Sequence, residues 1–230
     1  MTSTFQGFTQ QGLDFLRDLE ANNNREWFAE HKAVYTNRLY IPMKQLVEAI
    51  NPVMTELDPK VSTDPARTVS RIYRDTRFAR DKSPYKTCLW FAYKRPVGNW
   101  AEIPVYYFEV GATEYSYGMG FYLATRATMD QFRAMIDVDP QKFLDTIPFF
   151  KRGKTFKLET DNYKRPIPCP HGDAIAPWYQ SKRFALICHK TPDKTLFSKK
   201  LVDVLTDGFV QLKPLYDFVW LAYDRANRRK

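Results

Sequence analysis

The sequence predicts an α+β fold, a central and mostly antiparallel sheet flanked by N-terminal and C-terminal helices. Three observations point there. The first sixty residues and the last thirty carry apolar residues at helical spacing, the middle changes to the period of two of strands, and the order helices, strands, helices argues for a largely antiparallel sheet. At 230 residues with 44% hydrophobic content, the chain is long enough to form one large core. With neither an internal repeat nor a low-complexity linker, residues 1–230 read as a single domain.

The first helix is written in "TQQGLDFLRDLEANN", where Leu13, Leu16 and Leu19 share a face and the Asn run ends it. "NREWFAEHKAVYTNRL" restarts with Asn23 or Asn24 as N-cap and Glu26 in the first turn. It turns Trp27, Phe28, Val34 and Tyr35 inward. "IPMKQLVEAINPVMTEL" has Pro42 at a helix start and Pro52 as a kink, and Asp58-Pro59 closes it.

"TVSRIYRD" alternates as a strand, and "PYKTCLWFAYK" is a second. "IPVYYFEVG" and "YSYGMGFYLAT" form a hairpin joined through "ATE" after Gly111. Thr128 with Gln131 reads as a capping box opening a helix through Met129, Phe132 and Ile136. Asp139-Pro140 starts the next helix. A short strand around Phe156–Leu158, a strand in "RFALICHK" and a C-terminal helix through Pro214 complete the order.

Composition narrows the function. Apolar runs all fall short of the roughly 20 residues of a membrane span, and "MTSTFQGFTQQG" lacks the pattern of a signal peptide. Cys88, Cys169 and Cys188 are three, without a CxxC pair, which suits a reducing cytoplasm better than a disulfide framework. We therefore expect a cytoplasmic protein with no membrane partner. The net charge of +9 is concentrated: residues 1–66 hold six Lys/Arg against nine Asp/Glu, whereas residues 67–95 hold nine against two. Charge gathered this way marks a local site for an anion more than a basic surface.

The centre of that charge is "SRIYRDTRFARDKSPYK", residues 70–86. On a strand Arg71, Tyr73 and Asp75 share one face, and Ile72 and Arg74 the other. Asp81, Lys82, Ser83 and Pro84 supply turn chemistry. Two readings stand. Arg74 or Arg77 with Asp75 or Asp81 form a structural ion network, or the surplus cations face an anion. In the second reading Arg71, Arg74, Arg77, Lys82, Tyr85 and Lys86 bind a phosphate or carboxylate, with Arg133 on the later helix adding a further cation. Asp75 or Asp81 then holds an Arg, binds Mg²⁺ through a phosphate, or serves as a general base.

The motifs "NNNREWF", "RIYRDTRFARDKSPYK", "YGMGFY", "FRAMI" and a late "KRF", in this order, resemble the family known as domain of unknown function 2461 of bacteria and fungi. The resemblance runs from about Phe5 to Tyr223. Its signature falls on Arg71, Tyr73, Arg74, Asp75, Arg77, Phe78, Asp81, Lys82, Pro84, Tyr85 and Lys86, and its N-terminal motif on Asn23, Asn24, Trp27 and Phe28. The resemblance implies no particular reaction, and Cys88 receives no catalytic role from it.

Other signals are slight. Gly118-Met119-Gly120 is a lone G-x-G in a strand and marks a bulge or close backbone approach rather than a dinucleotide site. His31, His171 and His189 lack a metal-ligand spacing, so no metal site is expected and the residues select no cofactor. Asn23, Asn24 and Trp27 read as a cap and a core tryptophan, or with Glu26 as the lining of the charged turn's pocket. The leading function is binding of, or action on, a small phosphate-bearing ligand. The alternative is a nucleic-acid-binding module built on residues 67–95, residues 151–165 and the Arg228-Arg229-Lys230 tail.

Overall fold

In a computed structural model, which describes residues 4–148 and 155–228, the chain forms an α+β fold. Five strands make one antiparallel sheet in the order β1-β2-β3-β5-β4: β1 Leu89–Tyr93, β2 Val105–Val110, β3 Tyr115–Gly120, β4 Lys157–Asn162 and β5 Ser181–Lys190. The chain divides into two compact units. The first comprises Met1–Tyr93, Tyr107–Tyr117 and His189–Asp207. The second comprises Lys94–Tyr106, Gly118–Cys188 and Gly208–Lys230.

The first unit begins with α1 (Gln10–Ala21), α2 (Arg25–Tyr35), a π-helical turn at Thr36–Tyr40 and α3 (Ile41–Leu57). The predicted caps are in place. Asn24 is the α2 N-cap, its side chain accepting the Trp27 N–H at 2.9 Å. Asp58 closes α3. Leu13, Leu16, Leu19, Met43, Leu46, Val47, Ile50 and Met54 are buried, as their helical spacing requires. The Tyr93 hydroxyl lies 2.9 Å from both the Val47 carbonyl and Asn51 Oδ1, which satisfies a polar atom inside this core.

Two expectations fail here. "TVSRIYRD" is not a strand. After the one-turn α4 (Pro65–Thr68) it makes isolated bridges at Val69–Phe91 and Tyr73–Tyr85. Pro84 has no N–H to return the bond that its carbonyl accepts from Arg74 (2.9 Å). Asp75 and Asp81 also capture backbone N–H groups of Arg77 and Ser83, a local alternative to a ladder. Trp27 is not a core tryptophan. It is half-buried and stacks on His31 at 4.0 Å.

The second unit holds α5 (Arg126–Val138), α6 (Pro140–Leu144), β4, α7 (Ala176–Tyr179) and most of β5; the long α8 (Lys200–Asn227) enters it at Gly208. Asp139 caps α6 as expected, but α5 opens one residue after Thr125. The Thr125 hydroxyl accepts the Thr128 N–H at 3.2 Å, and Thr128 is buried in the first turn instead of capping it. An extra Thr three residues upstream wins because Thr128 has to be helical to place Met129 and Phe132 in the core. Phe132, Phe143, Trp178, Phe184 and Phe218 form an aromatic cluster with ring centroids 5.2–5.6 Å apart. The glycine pair is where two backbones meet: a Cβ on Gly118 would lie 1.8 Å from the Leu186 carbonyl oxygen, and one on Gly120 2.6 Å from Ala185 Cα. Among the described residues, no helix is long and apolar enough to cross a membrane.

Candidate functional site

The charged stretch of the first unit is a loop with a paired base and an ionic tip. At its base, Arg74 N–H donates to the Pro84 carbonyl and Lys86 N–H to that of Ile72, at 2.9 and 2.8 Å. Ile72 points into the core at 2% exposure, while Arg71, Tyr73 and Asp75 face out. The alternation expected of a strand survives although the ladder does not.

Asn23 closes the base from α2's leading edge. Its Nδ2 donates to the Tyr85 carbonyl and its Oδ1 accepts the Tyr85 N–H, each at 3.0 Å. One side-chain amide thus completes a rung that a strand would otherwise supply. Phe28 stacks on Tyr85 at 4.1 Å, and Tyr73 lies 5.4 Å from the same ring. "NNNREWF" and the signature, about sixty residues apart, are therefore two halves of one assembly. Asn24 caps the helix that places Phe28, and Asn23 holds the loop.

At the tip every carboxylate is engaged. Asp75 receives Arg77 through Nε (2.9 Å) and Nη2 (2.7 Å), and the Arg77 N–H as well. These bonds hold its carboxyl down at about 2. Asp81 accepts the Ser83 hydroxyl (2.5 Å) and N–H (2.9 Å) and pairs with Arg74. Ser83's hydroxyl, then Arg74, drive its carboxyl well below the usual range. Lys82 Nζ donates to the Thr76 carbonyl at 2.9 Å. Among the described residues, the guanidinium groups of Arg71 and Arg80 pair with no carboxylate. Phe78 stands 95% exposed, and the Arg77 guanidinium carbon lies 5.9 Å from its ring centroid.

Below the tip lies a second polar group of different character. Lys86 Nζ donates to the Arg71 carbonyl at 2.6 Å and sits 5.4 Å from the Trp90 ring centroid. Burial lowers its pKa, and the charge of Arg71 adds to this. Two residues on, the Cys88 thiol is pushed up to about 12, first by burial and then by Glu109, to which it hydrogen-bonds. Glu109 on β2 is half-buried, and burial raises its carboxyl against the opposing pull of Cys88, with Glu114 adding and His189 and Lys86 subtracting. His189 Nδ1 lies 3.8 Å from Glu114. Sequence reasoning missed Glu109. The available signal was a single acid in the otherwise apolar and aromatic "VYYFEV".

The remaining expected residues lie elsewhere. Arg133 belongs to the second unit, where its side chain is 7% exposed, pairs with Asp130 at 2.7 Å, and donates to the carbonyls of Tyr179 and Ser181 at 3.2 Å each. Lys182 and Arg183 lie 3.8 and 4.0 Å from Asp161. Of the basic segment 151–165, residues 151–154 lie outside the described residues, as do Arg229 and Lys230 of the tail. In the second unit an open cavity of about 600 Å³ is lined by Ala127, Asp130, Gln131, Arg225, Ala226 and Arg228; none of these is a signature residue. Among the described residues, no three His, Cys, Asp or Glu side chains are grouped to hold a metal ion.

The profile of one family, described as a conserved hypothetical protein (DUF2461), matches residues 11–218. No curated protein matches the chain. The chain belongs to that family.

Proposed function

We propose that this member of the DUF2461 family binds a small phosphate-bearing ligand at the base of the 71–86 loop. Arg71 and Lys86 take the anion, with Tyr85 beside them. Arg74, Arg77 and Lys82 complete the positive field. Asp75 and Asp81 position Arg77 and Arg74, because carboxyls so acidic are weak bases at neutral pH. Glu109, whose environment favours its neutral form, is the better group to exchange a proton with the ligand. In this reading the protein works in the cytoplasm.

One observation carries the proposal. The loop engages both of its carboxylates within itself, yet at its base Lys86 Nζ donates to the Arg71 backbone carbonyl and is repelled by the Arg71 charge. Two cations that repel each other are stabilised by an anion placed between them, and Glu109, the acid that also acts on Lys86, is itself pushed toward its neutral form by burial.

Thermal unfolding against nucleotides, sugar phosphates and inorganic polyphosphate tests this. A ligand at a hundred times its Kd should raise the midpoint by roughly 5–10 °C. Arg71→Ala and Lys86→Ala should fold and lose that rise. Arg74→Ala, which frees Asp81, should weaken it. A rise that persists in both base variants would refute the proposal.

A second reading, single-stranded nucleic acid, has its own support in Phe78 and Tyr73, 95% and 59% exposed among cations, since exposed rings beside Arg and Lys can stack on bases. It requires that affinity for a short oligonucleotide fall steeply with salt and that Phe78→Ala weaken binding. Insensitivity to both would exclude it.

A further inference from the structure

The second unit contains a set of side chains that the anion site does not use. Asp137 ends α5 one turn after Arg133, so both side chains lie on the same helical face. His171 arrives from the loop after β4. The loop turns at Gly172, whose φ of +81° strains any residue with a side chain. The Gly172 carbonyl then accepts the N–H groups of Ile175 and Ala176 at 3.2 and 3.1 Å and leads into α7. Tyr179 stands at the end of that helix.

These elements converge on one carboxylate. His171 Nε2 lies 2.7 Å from Asp137 Oδ1, and the Tyr179 hydroxyl lies 3.0 Å from each Asp137 oxygen. Arg133 holds the Tyr179 carbonyl. With Nε2–H donated to Asp137, the imidazole lone pair is on Nδ1. Among the described residues Nδ1 has no hydrogen-bond partner, and the ring is only 15% exposed. Asp137 and Tyr179 contact the ring, and Arg133 and Cys169 lie within electrostatic reach of the Tyr179 hydroxyl.

We propose that His171 is a general base, oriented by Asp137, at a second site that acts on an ester-type acyl bond. Its Nδ1 takes a proton from water as the water oxygen bonds to the acyl carbon. The bond to the leaving oxygen then breaks, and the proton passes from Nδ1 to that oxygen, giving acid and alcohol. Asp137 stabilises the imidazolium formed in between. Asp137 and Tyr179 are positioning residues, and Arg133 keeps Tyr179 in place.

The alternative is a staple that merely pins the 163–175 loop to α5. Hydrolysis of p-nitrophenyl acetate by the full chain separates the two. The site predicts a rate above that of an equal concentration of free imidazole. His171→Gln should remove at least tenfold of it, and Cys169→Ser and His31→Gln should leave it unchanged. Asp137→Asn should lower kcat about tenfold and leave KM unchanged, because the carboxylate that stabilises the imidazolium formed during the step is gone. That readout serves even where His171→Gln fails to fold. A wild-type rate no higher than free imidazole, an undiminished rate in folded His171→Gln, or an unchanged kcat in Asp137→Asn would each overturn the proposal.

Discussion

The tip and the base of the 71–86 loop are separated by only a few residues, yet they treat charge in opposite ways. At the tip, Asp75 and Asp81 are exposed and ringed by donors, and both are held ionised. At the base, Lys86, Cys88 and Glu109 are half-buried, and each is pushed toward its neutral form, with burial as the leading cause. The difference shows that charge density alone does not locate chemistry. A carboxylate saturated with hydrogen bonds in water has a structural task. One that is partly desolvated beside a lysine and a thiol is poised to exchange a proton.

The strongest way to break this arrangement is at Asn23. Asn23→Ala removes both bonds to the Tyr85 backbone and leaves a donor and an acceptor of a buried residue unmet, at about 1–3 kcal/mol each. We expect a loss of about 2–4 kcal/mol in denaturant unfolding, together with faster amide exchange at Tyr85. An Asn23→Ala protein as stable as wild type would mean that stacking by Phe28 alone holds the base.

The next effect is pH-dependent. Because Glu109 has a raised carboxyl pKa in the folded chain, the native state binds the extra proton, and wild-type stability falls as pH rises from the ordinary Glu value through the folded one. Glu109→Gln abolishes that dependence, so its midpoint should gain on wild type as pH rises above about 4.5. A constant difference across this range would place Glu109 in an ordinary solvated environment. Cys88 gives a smaller, kinetic readout. A thiol held protonated should alkylate more slowly at pH 8 than free cysteine, and Glu109→Gln should speed it.

The tip should respond least. A depressed Asp pKa contributes stability that is present above the unfolded value near 4 and is lost as pH falls toward about 2. Asp75→Asn should therefore change the midpoint slightly at pH 7 and less still as pH falls through about 2. A large change at pH 7 would give the tip a weight that its exposure argues against.

Much of this was legible in the residues. The alternation of Ile72 against Arg71 and Tyr73, the Asn24 cap, the hairpin at Gly111 and the close approach at Gly118 each follow from side-chain period or from the lack of a Cβ. That Arg74 or Arg77 pairs with Asp75 or Asp81 could also be named, because the partners lie within seven residues, while which Arg takes which Asp came from the structure. What misled was competition among local signals. "TVSRIYRD" has a strand's pattern, but Pro84 and the two Asp side chains deny it a ladder. Thr128 has a cap's chemistry, but Thr125 has it too and stands at the right place.

The sequence by itself determined the α+β class, the location of the charge, and the identity of the residues that line the loop, since these depend on neighbours close in the chain. Only the tertiary structure decided that Asn23 clamps Tyr85, that Glu109 faces Cys88 and Lys86, and that His171 meets Asp137. Each of these joins residues at least twenty positions apart. Their meeting depends on how helices and strands pack, which no local pattern encodes, and desolvation acts on a carboxyl or a thiol only once that packing exists.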